Sequence, residues 1–140
     1  MKALSLRQPW ADAVLYGGKR IENRVAWTNS NFRGEFLIHA AKGMTKGEYA
    51  DVVDFLVMKA FDWRPKPIGE LVRGAIVGRA RVTGVVKAPP CMMTADQARW
   101  YMGGFALLLD DVVAFEKPIP WVGALGFFAT PFDREGRRAP

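Results

Sequence analysis

In 140 residues the sequence holds one cysteine, Cys91, and one histidine, His39. A lone cysteine excludes an internal disulfide, and so few soft ligands give no zinc-ligand spacing, so neither a metal nor a cofactor is expected. No apolar run approaches bilayer-spanning length, and Lys2 is followed by neither an apolar h-region nor a small-residue cleavage pattern. The expectation is a soluble, cytoplasmic protein with no membrane partner. Ser-, Gln- or Glu-rich tracts and internal repeats are also missing, which argues against a disordered arm or a solenoid.

What is present suits one globular domain. Half of the residues are apolar and 24% are charged, ordinary values for a chain able to bury a continuous core. The net charge is +6 and the sequence pI is about 9.8, which favours polyanionic partners through long-range attraction and counterion release. Part of the excess sits in residues 133–140 (Arg134, Arg137, Arg138), expected to form a flexible tail behind a domain of residues 1–132.

Local patterns sketch the elements. Pro9 suits a helix start, and Trp10, Ala13, Val14 and Tyr16 make about two turns before Gly17 and Gly18 stop them. "RGEFLIHAAK" sets Phe36, Ile38 and Ala40 against Leu37, His39 and Ala41, the pattern of a strand buried on both faces. Thr45 and Glu48 form a capping box ahead of a helix expected over Lys46 to Phe61, with Tyr49, Val52, Val53, Leu56 and Ala60 on one face. Pro65 and Pro67 make the next stretch an exposed connector. Val72 to Lys87, rich in Val and punctuated by Gly74, Gly78 and Gly84, reads as a strongly bent strand or strand pair curling around a small barrel. A second capping box at Thr94 and Gln97 starts a third helix. "FALLLDDVVAF" and "GALGFFATP" then give two more strands on either side of "EKPIPW".

The chemistry concentrates after the paired glycines, where Lys19, Arg20, Glu22, Asn23 and Arg24 surround a lone Ile21. At strand spacing Ile21 anchors the core while Arg20, Glu22 and Arg24 share the other face. Glu22 is expected to stay ionised and to hold the neighbouring cations in place. An isolated E-x-R strand would be a surface ladder of ion pairs worth about 0–1 kcal/mol each. Gln8, Arg33 and the aromatics Trp10, Trp27, Trp100 and Tyr101 add amide, guanidinium and flat apolar surfaces, the set that holds splayed nucleobases and phosphates. Arg79 and Arg81 share a strand face and either extend that basic track or are simply solvated. His39 reads as a hydrogen-bonded core or barrel-rim residue, and Cys91 as an incidental thiol.

The run "LSLRQPWADAVLYGGKRIENR", followed by "RGEFLIHAAK" and, late in the chain, by "EKPIPWVGALGFF", resembles the signature of the ASCH domain family. Gly17, Lys19, Glu22 and Arg24 carry its most distinctive part. The resemblance implies an α+β, PUA-like fold: a small mixed β-barrel flanked by about three helices, with a cleft where the first helix meets the barrel. It also implies RNA or single-stranded nucleic acid, or a modified nucleotide, as partner, with Gln8, Pro9, Trp10, Lys19, Glu22, Arg24 and Arg33 as binding residues, to which the aromatic cluster adds Tyr101 as a stacking surface. Some members are metal-independent hydrolases, either single-strand ribonucleases or amidohydrolases on a modified nucleoside; in such an enzyme Lys19 and Glu22 would be catalytic. The amidohydrolase branch places a threonine nucleophile where this chain has Glu22, a departure from that acyl-enzyme pattern.

Overall fold

The computed structural model describes residues 1–24, 31–86 and 93–140; Trp27 and Cys91 lie outside them. The described elements are β1 (Lys2–Leu6), α1 (Trp10–Tyr16), β2 (Ile21–Arg24), β3 (Gly34–Ala40), α2 (Lys46–Met58), β4 (Ala75–Val86), α3 (Ala95–Trp100), β5 (Phe105–Pro120) and β6 (Phe127–Ala129), with one 3-10 turn at Ile68–Glu70. The six strands form one sheet in the order β2-β5-β4-β3-β1-β6. Only β1 and β3 run parallel, so the sheet is mixed.

Bent strands curl this sheet into a half-barrel. The pairing of β4 with β5 shifts register between Ile76 and Gly78, Arg79 and Arg81, and Val82 and Gly84, and each shift adds local bend and twist. At Gly78 a side chain is excluded outright: a Cβ there would lie 2.4 Å from the Val113 carbonyl oxygen. The glycine-punctuated stretch is thus one strongly bent strand.

Alternation then divides the apolar residues among three cores. Leu4, Leu6, Phe36, Ile38, Val82, Leu107 and Leu109 fill the concave side with Ala11 and Val14 of α1. Ala13, Ile21, Val52, Leu56, Phe61, Trp100 and Ala106 join the three helices to β2 and β5. Ala3, Leu37, Ile76 and Phe132 lie on the outer face of β1, β3 and β4. The two apolar sets of β3 therefore bury on opposite faces, as its sequence requires.

Some boundaries differ from the sequence reading. The second helix ends at Met58 rather than Phe61, in a left-handed turn at Ala60 (φ 56°). Phe61 N–H donates to Leu56 O at 2.9 Å and Ala60 N–H to Val57 O at 3.1 Å, a Schellman stop without its usual glycine. Strand β5 continues through Pro118 to Pro120 instead of breaking. Its partner β2 covers only Phe105 to Leu108, so the prolines sit where one edge of β5 faces no β2 strand. The short β1 gave no periodic signal. Residues 133–140, expected as a flexible tail, fold back: Asp133 N–H donates to Arg137 O at 2.9 Å and Arg134 Nη2 lies 2.8 Å from Glu35 Oε1.

Candidate nucleotide site at the helix-to-strand junction

The two glycines that end α1 have different tasks. A Cβ at Gly17 would meet the Trp63 ring at 2.8 Å, so the chain there packs directly against an indole. Gly18 adopts φ +75°, a conformation that costs other residues steric energy. The reversal brings Lys19 N–H back to the Ala13 carbonyl at 3.1 Å and turns the Lys19 side chain inward. Arg20 closes the end of the helix by donating to Val14 O at 2.9 Å.

Ile21 is fully buried among the helices. Strand alternation then turns Glu22 to the opposite face, beside its register partner Leu107, a member of the concave core. Glu22 is only 7% exposed and Lys19 only 1%. Lys19 Nζ lies 4.0 Å from Glu22 Oε2 and 4.9 Å from the centre of the Trp10 ring. Burial pushes the Lys19 ammonium below its ordinary pKa; the Glu22 carboxylate opposes that shift and Arg24 adds to it. Glu22 Oε2 is buried without a hydrogen-bond partner among the described residues. Such an atom costs free energy until something donates to it.

The structure thus brings Trp10, Lys19, Glu22 and Arg24 together. Arg24 Nη2 also donates to Ser5 O at 3.0 Å. Tyr101 packs against the same core as Trp10, and its hydroxyl donates to Gly104 O at 2.7 Å. Gln8 is engaged elsewhere: its amide donates to Val72 O at 2.9 Å and accepts from Asp12 N–H at 3.0 Å, so it tethers the start of α1. Pro9 caps that helix after a cis peptide bond. Arg33 stands exposed before β3 and donates to Phe32 O at 2.9 Å. Arg79 and Arg81 meet acids: Arg79 pairs with Glu135, and Arg81 with Glu35 and Asp111.

Sequence reasoning gave no role to Asn23, which donates to Trp100 O and accepts from Met102 N–H, fixing β2 to the end of α3. Nor did it find Ser5, whose hydroxyl lies 2.8 Å from His39 Nδ1. Among the described residues no cluster of His, Cys, Asp or Glu could hold a metal ion, and no helix is long and apolar enough to cross a membrane.

The family model described as ASCH domain matches residues 4–120. No curated protein matches the chain significantly. Among solved structures, an ASCH protein from Zymomonas mobilis is 18% identical, with 84% of this chain and 71% of that chain covered and a TM-score of 0.46. Two single-residue mutants of that protein are 17% and 18% identical, each covering 84% of this chain and 72% or 73% of their own, both at a TM-score of 0.41.

Proposed function

The chain belongs to the ASCH domain family, and on that premise we propose that it binds a single nucleotide unit, either one base of single-stranded RNA or a modified nucleotide, where α1 meets β2. The observation that carries this reading is the buried Glu22 Oε2, which accepts no hydrogen bond among the described residues although Lys19 Nζ pairs with it at 4.0 Å. A carboxylate oxygen only accepts hydrogen bonds, and the exocyclic amines and ring N–H groups of nucleobases are donors of the matching kind. Lys19 balances the carboxylate charge, and the Trp10 indole offers an aromatic surface beside it. Lys19 is too deeply buried to meet a polynucleotide backbone. Glu22 Oε2 is equally buried, so a base edge reaches it as the junction of α1 and β2 opens, while Arg24 and the exposed Arg33 serve the phosphate.

A metal-independent hydrolase is the second reading, and the depressed Lys19 pKa favours it. An amine that gives up its proton readily, next to a carboxylate, can move protons in a transition state. One experiment separates the two. Labelled single-stranded RNA and nucleoside monophosphates are titrated in excess chelator against the wild type, Lys19→Ala and Glu22→Gln, with single-turnover cleavage followed in parallel. Binding without turnover that weakens in both variants supports the module. Turnover abolished by Glu22→Gln at nearly intact affinity supports the hydrolase. Failure to bind any nucleotide at low salt overturns both.

A further inference from the structure

A second constellation lies on the outer face of β1 and β3. Their parallel register pairs Ser5 with His39, so both side chains leave the sheet on one face. Ser5 Oγ is 2.8 Å from His39 Nδ1, and His39 Nε2 is 2.8 Å from the Trp121 carbonyl oxygen. A carbonyl can only accept, so Nε2 carries the ring hydrogen; in the neutral imidazole Nδ1 is then the bare nitrogen that accepts the Ser5 hydroxyl proton. A nucleophile facing a base that is itself oriented by a third group is the arrangement of an activated serine.

The pair opens into a groove of about 1020 Å³. Gly123 crosses directly above it: a Cβ there would lie 2.7 Å from both His39 Cε1 and Ser5 Oγ, so any other residue would crowd the pair. Trp121, Val122 and Leu125 supply an apolar wall, with Val122 and Leu125 84% and 96% exposed. Lys42 and Arg73 add two cations, and Arg73 is held at the rim by donating to the Lys42 carbonyl at 3.1 Å.

We propose that Ser5 and His39 form a nucleophile and general base for hydrolysis of small esters that combine an apolar body with an anionic group. Ser5 Oγ bonds to the acyl carbon as its proton passes to His39 Nδ1. The bond from that carbon to the leaving alcohol oxygen breaks, and the alcohol takes the proton from Nδ1. Water then attacks the acyl-serine, again giving its proton to Nδ1, which returns it to Ser5 Oγ as the carboxylic acid leaves. The apolar wall holds the body of the ester, and Lys42 and Arg73 hold its anionic end. Arg24 of the nucleotide site reaches the Ser5 backbone carbonyl but not the Ser5 hydroxyl or His39, so failure of the side-chain pair leaves the nucleotide reading intact.

The test uses the full chain, mono-4-nitrophenyl glutarate as anionic ester, 4-nitrophenyl butyrate as neutral ester, and a fluorophosphonate probe mapped by peptide mass. Expected are a burst of nitrophenolate, an adduct on Ser5, and loss of both in Ser5→Ala, since base-assisted attack contributes about 10²–10⁴-fold. Gly123→Ala should suppress the burst, and Arg73→Ala should raise KM for the anionic ester but not for the neutral one. Ser5→Cys gives a second, positive readout: iodoacetamide should alkylate that thiol faster than Cys91. An unlabelled Ser5, ester cleavage that survives Ser5→Ala, or a Cys at position 5 no faster than Cys91 would each overturn the proposal.

Discussion

Arg24, the last residue of β2, donates to the backbone carbonyl of Ser5 in β1 at 3.0 Å. The two strands are far apart in the sheet order, so the bond exists only because the sheet curls. β6 pairs with β1 from Lys2 to Leu4 and stops, and the guanidinium satisfies the carbonyl just beyond. A hydrogen bond to a charged group is worth about 1.5–3 kcal/mol. Arg24→Leu should therefore lower unfolding free energy by about 1–2 kcal/mol in urea, partial exposure reducing the full value.

Lys19 should titrate below every other lysine of the chain when followed by NMR of ¹³C-methylated amines. Glu22→Gln should lower its pKa further, because the carboxylate supports the charged form, and Arg24→Gln should raise it. The linked stability has a definite sign. Between the depressed folded pKa and the ordinary 10.5 the unfolded state binds the extra proton, so this contribution rises with pH across that window. Lys19→Met should remove that rise.

Lys19 and Glu22 should also be coupled energetically. Removing one partner leaves the other charge buried alone, so Lys19→Met is expected to cost about 3–5 kcal/mol. The double variant Lys19→Met/Glu22→Leu should recover most of that loss. A double-mutant cycle from urea unfolding checks this; additive costs would mean that the pair does not interact.

Gly78→Ala should destabilise by about 1–3 kcal/mol, because the added methyl meets the Val113 carbonyl oxygen at 2.4 Å, a backbone atom held in the sheet. At Gly18, where nothing lies within 4 Å of an added Cβ, the cost should come only from its positive φ. Thermal melts of the two alanine variants measure the contrast between packing and dihedral strain.

Thr45 and Glu48 satisfy each other's backbone N–H groups at the start of α2, and Thr45→Ala should cost about 1 kcal/mol. Hydrogen bonds from Arg7 lead the effects that push Glu48 down to about 2 from 4.5. The stabilisation from Glu48 is complete above the unfolded value of 4.5 and is lost as pH falls toward about 2. Acid titration of the melting temperature should show a shallower fall across that window in Glu48→Gln.

Nucleic-acid affinity should fall linearly in log–log form with salt, with a slope matching a handful of phosphates. Because Arg79 and Arg81 are occupied by acids, Arg79→Ala should leave the wild-type slope unchanged. Fluorescence anisotropy at several salt concentrations gives both values.

The sequence by itself determined those features whose cause is local. Both capping boxes, the glycine stop after Tyr16, the doubly apolar β3 and the glycine-marked bend of β4 are set by dihedral preference and side-chain period within a few residues. The family motif was equally readable, because Gly17, Lys19, Glu22 and Arg24 fall within eight positions. Tertiary structure decided what those side chains face. Strand alternation put Glu22 opposite Ile21, but only the curl of the sheet over α1 made that opposite face an interior and buried Lys19 with it. Gln8 was drawn to Val72, a residue 64 positions away. Ser5 and His39, 34 positions apart, met through the register of two parallel strands, which no local pattern encodes because a one-residue slip of either strand would put the two side chains on opposite faces.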